Sequence, residues 1–188
     1  MNPFYSDAEL RNLGFHTVGR NTRVSRKASF YGVSGSIGDG SRIDDFCIVK
    51  GRVEIGRNVH VAAFANVGGS ASHRVVFEDC ATLSTHISIF TCSADYRADA
   101  LASPLVALEL QHNIYGDVVL GRGIVIGAHT CLLPGASIGD GASVGANLVV
   151  HGKIEQGQVV ASRNGVATVV GTRDAQAICA LVERACAS

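Results

Sequence analysis

The stretch LGRGIVIGAHTCLLPGASIGDGASVGANLVV, residues 120–150, decides the fold. Every sixth residue is a large aliphatic: Leu120, Ile126, Leu132, Ile138, Val144, Val150. Glycine follows at 121, 127, 139 and 145, and the fifth place of each hexad holds an uncharged, often small residue such as Thr130, Ala136 or Ala142. A helix needs apolar residues every three to four positions and an isolated strand every two, so a strict period of six belongs to neither alone. It suits a chain that turns a corner every six residues, with the aliphatic and the small fifth residue both inward and glycine relaxing the backbone beside them. Three hexads then make one triangular coil.

The period extends upstream. Val18, Val24 and Phe30 are followed, after one extra residue, by Ile37, Ile43, Val49, Ile55, Val61 and Val67. The excursion GGSASHRVV at 68–76 intervenes, and Phe77, Leu83 and Ile89 resume. Eighteen hexads fit in all, which predicts about six coils stacked as a solenoid around one apolar column. After Ile89 the period is lost until Leu120. That insertion, taken as a loop over 91–116, is long for a compact repeat, and such loops usually carry function.

The flanks read differently. Ser6-Asp7-Ala8-Glu9 is a capping box, with Tyr5 and Leu10 available as a staple and Gly14 as a stop, so residues 1–17 form a helical cap over the open solenoid end. The β-helix spans 18–160, and 161–188 is a tail. Within the tail, Thr172 is the expected N-cap of a short helix with Ile178, Leu181 and Val182 on one face. The whole is one domain.

Composition bounds the function. The chain has 188 residues, 47% apolar and 17% charged, with a formal net charge of zero. These values fit an ordered globular chain and suggest neither nucleic acid nor an anionic membrane as a partner. No apolar run reaches the ~18 residues of a membrane span, the N-terminus is not expected to be a signal peptide, and a cytoplasmic location follows. Six cysteines contain no CxxC pair, and core thiols are the plain reading.

GAHTCLLPGASIGDGASVGANLVV at 127–150 resembles the bacterial hexapeptide-repeat transferases, whose fold is an all-β, left-handed parallel β-helix. The opening FYSDAELRNLGF is similar to sugar acetyltransferases of surface-polysaccharide gene sets. In that family the active site lies between subunits of a homotrimer, one giving a coil corner and the next an extended loop. GRNVHVAAFANV at 56–67 resembles the corner segment and points to His60 as general base. The loop carries Cys92-Ser93-Ala94-Asp95-Tyr96. Galactoside and maltose O-acetyltransferases place a histidine there, and this chain places Asp95. An S-x-D-[YF] loop is similar to the subgroup containing N-acyltransferases for dTDP-4-amino-4,6-dideoxyglucose, and it gives Asp95 the task of holding the sugar amine or orienting the histidine.

Hexad stacking alone adds His86 and His129, fourth residues of adjacent second-face hexads, about 4.8 Å apart with Asn147 next. The family's donor is a coenzyme A thioester, acetyl-CoA being expected here. Matching positions are Ala128 and Ala146, whose size allows close approach, then His151, Lys153 and Arg163 for phosphate. The implied function is acetyl-CoA-dependent N-acetylation of a nucleotide-linked aminosugar for O-antigen or another surface polysaccharide. O-acetylation of a sugar hydroxyl is the rival reaction, and a non-catalytic structural solenoid the rival of another class. No metal is expected, since the closest histidines are too far apart in sequence for a zinc site of the kind seen on this fold.

Overall fold

In the computed structural model, which describes residues 2–187, the inward aliphatics pair layer on layer in parallel register. On the first face Val18, Ile37, Ile55, Phe77, Leu120, Ile138 and Ile154 are successive partners. The second face runs Val24, Ile43, Val61, Leu83, Ile126, Val144, Val160. On the third, Phe30, Val49, Val67, Ile89, Leu132 and Val150 align. Two faces are therefore seven layers deep and the third six, against the six coils expected from the hexad count. The difference lies at the end: the chain goes from Val150 to Ile154 in four residues, a step that counting in sixes misses. Most side chains of these columns belong to one buried core that runs from Leu10 to Val160, with Val18 and Phe30 packed against it.

The glycines after the aliphatics do a different job from the one expected. Gly127 is not left-handed; a Cβ there would lie 2.4 Å from the backbone nitrogen of Ala146 in the next coil. Close approach of stacked corners excludes a side chain. Left-handed backbone falls two positions later. At the first corner it is taken by Asn21, Gly40, Asn58, Cys80, Gly123, Gly141 and Gly157, mostly residues that tolerate it.

The residue preceding each of the first six of these forms a column of alternating charge: Arg20, Asp39, Arg57, Asp79, Arg122, Asp140. The Arg–Asp pairs close at 3.1 Å (Arg20–Asp39), 2.6 Å (Arg57–Asp79) and 2.7 Å (Arg122–Asp140). Each aspartate also accepts the backbone N–H of its arginine. That backbone bond is the main reason the Asp39 carboxyl lies below its usual range. Burial opposes ionisation of Asp79 and Asp140, yet hydrogen bonds from Arg57 and Arg122 overcome it and both are lowered.

One helix closes the N-terminal end and the other runs along the first corner. Helix α1, Asp7–Asn12, has the full capping box between Ser6 and Glu9 and buries Leu10. Helix α2, Ala175–Ala187, is not capped by Thr172, which ends a strand; Asp174 accepts from the Ala177 N–H at 3.0 Å instead. Its inward residues include Ile178 and Val182, which crowd Gly123 and would clash with a Cβ there. Leu181, expected on that face, is exposed. Before α2 the tail folds as a hairpin, Gln158–Arg163 antiparallel to Val166–Thr172, turning on Asn164-Gly165 with both residues at positive φ. The mid-chain insertion is anchored as well: Cys92–Ala94 pairs antiparallel with Asn113–Tyr115.

Candidate active site

His60 opens the two-residue strand His60–Val61. Val61 is buried, so His60 faces outward. Its neighbour one layer back is Arg42, and two residues along that strand direction stands Asp44. His60 Nε2 lies 2.9 Å from Asp44 Oδ2, and Arg42 Nε donates to the other oxygen of the same carboxylate. The histidine side chain is 41% exposed and the aspartate 18%. With Nε2–H donating to Asp44, the lone pair is on Nδ1, the arrangement of an oriented base. Asp44 also lines a cavity of about 500 Å³ with Ser25, Lys27, Arg42, Asp45 and Ala63. Sequence reasoning missed Asp44. The signal was present in the stacking: it is an outward residue one coil before His60.

Asp95 follows the anchored strand of the insertion. Its Oδ1 accepts the Arg97 N–H at 3.0 Å and Arg97 Nε at 3.3 Å, and these bonds, the backbone one first, hold the carboxyl below its usual range. Its side chain is only 15% exposed. Asp95 lines a cavity of about 390 Å³ whose walls include Tyr96, Ile114, Leu133, Pro134 and His151. His151 also lines a second cavity of about 290 Å³, with Lys153, Gln158 and Val169. Three residues singled out separately in the sequence, Asp95, His151 and Lys153, thus lie along two cavities that share one side chain.

On that line Lys153 Nζ is engaged by Glu155 at 2.8 Å. The other candidates sit apart from it. Arg163 is exposed at the hairpin end beside the Asn164-Gly165 turn. Ala128 and Ala146 occupy the second corner, each directly before a residue of a stacked ladder. That ladder contains His86 and His129, ring centroids 4.6 Å apart and nearly parallel. It continues through Phe64, 4.8 Å from His86, to Phe46, 5.1 Å from Phe64. Lys27 caps it over Phe46. All four rings are carried on left-handed backbone, which is uncommon for bulky residues, and Phe46 and Phe64 are about half exposed, at 52% and 49%. The stacking of His86 on His129 follows the hexad expectation; the two phenylalanines extend it. Among the described residues no group of three or more His, Cys, Asp or Glu side chains is placed to hold a metal.

Residues 35–69 match the family model for bacterial transferase hexapeptide (six repeats). The chain is 33% identical over 151 residues to the dTDP-4-amino-4,6-dideoxy-D-glucose acyltransferase of Escherichia coli, covering 78% of each. Among solved structures, AntD, an N-acyltransferase from Bacillus cereus in complex with dTDP and 3-hydroxybutyryl-CoA, superposes with a TM-score of 0.87 at 33% identity, over 100% of this chain and 98% of that one. A variant of AntD in complex with dTDP-4-amino-4,6-dideoxyglucose and coenzyme A superposes with a TM-score of 0.88 at 29% identity over the whole of both chains.

Proposed function

For a chain that belongs to the hexapeptide-repeat acyltransferases, built as a left-handed parallel β-helix, we propose N-acylation of the amino group of a dTDP-linked deoxyaminosugar, with a coenzyme A thioester as donor. The observation that carries this reading is the line of cavities from Asp95 through His151 to Lys153. It offers a carboxylate for an amine at one end and a cation for phosphate at the other. The activity of the E. coli relative and the ligands bound by AntD support the same substrate pair.

The residues fit such a donor. Ala128 and Ala146 leave the second corner narrow, so an extended chain can approach the backbone there. Lys153 and Arg163 provide the charge that phosphates require. When bound, the donor supplies the activated acyl group; acetyl is the group we assign.

The protein's part is to place the amine and to take its proton. Asp95, ionised at neutral pH, accepts an N–H of the sugar amine and fixes its direction. His60 receives the proton at Nδ1, while Asp44 holds the ring in that tautomer and stabilises the imidazolium. Asp95 lines the cavity beside His151, whereas His60 holds Asp44, which lines a different cavity. A homotrimer joins them, the insertion of one subunit reaching the coil that carries His60 on the next. Such a reaction would serve surface-polysaccharide synthesis in the cytoplasm.

The test is direct. The purified protein, acetyl-CoA and dTDP-4-amino-4,6-dideoxyglucose should give the amide, read by mass spectrometry, with Asp95→Ala strongly impaired. Transfer to a plain glycan hydroxyl with no reaction on the amine would favour the O-acetyltransferase reading, and failure to bind coenzyme A the structural one.

A further inference from the structure

Helix α2 lies along the left-handed column of the first corner, and the contacts fix its register. A Cβ on Gly123 would lie 3.1 Å from Val182 Cγ2. Two layers back, Asn58 Nδ2 donates to the Ala185 carbonyl at 3.2 Å and lies 3.6 Å from Cys186 Sγ. Arg57 Nη1 donates to the Cys186 carbonyl at 3.3 Å. Cys80 is the column residue between Asn58 and Gly123: its N–H bonds the Arg57 carbonyl, and the Gly123 N–H bonds the Asp79 carbonyl. One helical turn from Val182 to Cys186 rises about 6 Å, and one layer from Gly123 to Cys80 is about 4.8 Å. The two steps match closely enough to bring Cys186 over Cys80. Both thiols are free and half-buried.

We propose that Cys80 and Cys186 are a redox pair whose disulfide latches the C-terminal helix to the solenoid. The reaction is thiol–disulfide exchange with a low-molecular-weight disulfide. The Cys186 thiolate, beside Arg57, Asn58 and Asp79, attacks one sulfur of the reagent, forms a mixed disulfide and expels one thiolate. Cys80 then gives up its proton and attacks the Cys186 sulfur, expelling the second thiolate. Two protein thiols and one small disulfide become one protein disulfide and two small thiols. Burial, then the neighbouring Cys186 charge, push the Cys80 thiol up to about 11, which makes Cys186 the attacking residue and Cys80 the resolving one. The other cysteine of the helix, Cys179, is set against Asp140 with Sγ–Oδ2 at 3.7 Å. The latch acts on the coil that carries His60, because Arg57 and Asn58 stand just before Val59 and His60. It does not depend on the reaction proposed above.

The experiment is treatment of the full chain with oxidised glutathione, followed by peptide mass mapping and thermal melting. The expected result is a Cys80–Cys186 linkage with the loss of two hydrogens, and a melting temperature raised by roughly 5–10 °C and restored by dithiothreitol. Cys80→Ser should stop at the glutathione adduct on Cys186 and show no rise. A wild-type protein that retains glutathione without the internal link, links other cysteines, or forms the link with unchanged melting would overturn the proposal.

Discussion

His60 Nε2 is held 2.9 Å from Asp44 Oδ2, one coil away. Such a contact orients the ring. His60→Ala should therefore lower kcat by roughly 10²–10⁴ with donor affinity nearly unchanged. Asp44→Asn should cost less, since it disturbs only the contact that orients the ring. His86→Ala, from the stacked ladder, is the control: a crippled His86 variant beside a healthy His60 variant would assign the base to the second corner.

Replacing residues 92–115 with a short Gly-Ser turn should leave a folded protein without activity. Thr91 and Gly116 are already joined by a backbone hydrogen bond at 3.1 Å, so a tight connection suits the gap, and the core on either side is continuous. The Asp95 cavity leaves with the segment. Retained turnover, or loss of the β-sheet circular dichroism signal, would refute this.

If the site is completed by a neighbouring subunit, light scattering should give the mass of a trimer at micromolar protein. An equal mixture of His60→Ala and Asp95→Ala chains, each inactive alone, should recover part of the activity after subunit exchange. A fully active monomer is incompatible with the shared site.

The α1 cap should be acid-sensitive. Hydrogen bonds from Arg26, then from the Ser6 N–H, lower the Glu9 carboxyl to about 2, whereas the unfolded value is about 4.3. A lowered carboxyl contributes stability that is complete above the unfolded value and disappears as pH falls toward 2. Wild type and Glu9→Gln should differ most in melting temperature above pH 5 and converge near pH 2. A difference independent of pH would mean that the capping charge plays no part.

The stacked faces were legible because a period of six dictates which aliphatics meet, and no other element reproduces it. Where the period breaks, reading stopped. The four-residue step to Ile154 hid the seventh layer. Asn164-Gly165 falls inside the segment read as a plain tail, although an Asn-Gly pair between apolar stretches marks a hairpin. For the site, the columns placed His86 on His129 correctly, since they obey the same repeat. Asp44 escaped because only the cross-layer register relates it to His60. The meeting of Asp95 with His151 depends on how the insertion folds back, which no periodicity describes.

The column Arg20, Asp39, Arg57, Asp79, Arg122, Asp140 sets a parity rule on how this solenoid can change length. Its sign inverts with each layer. Excising a single coil from the middle would set arginine on arginine or aspartate on aspartate across the cut. Excising two would restore the alternation. Growth or shrinkage by gene duplication is therefore expected in even numbers of coils wherever this corner is kept, and odd changes only with a compensating charge reversal.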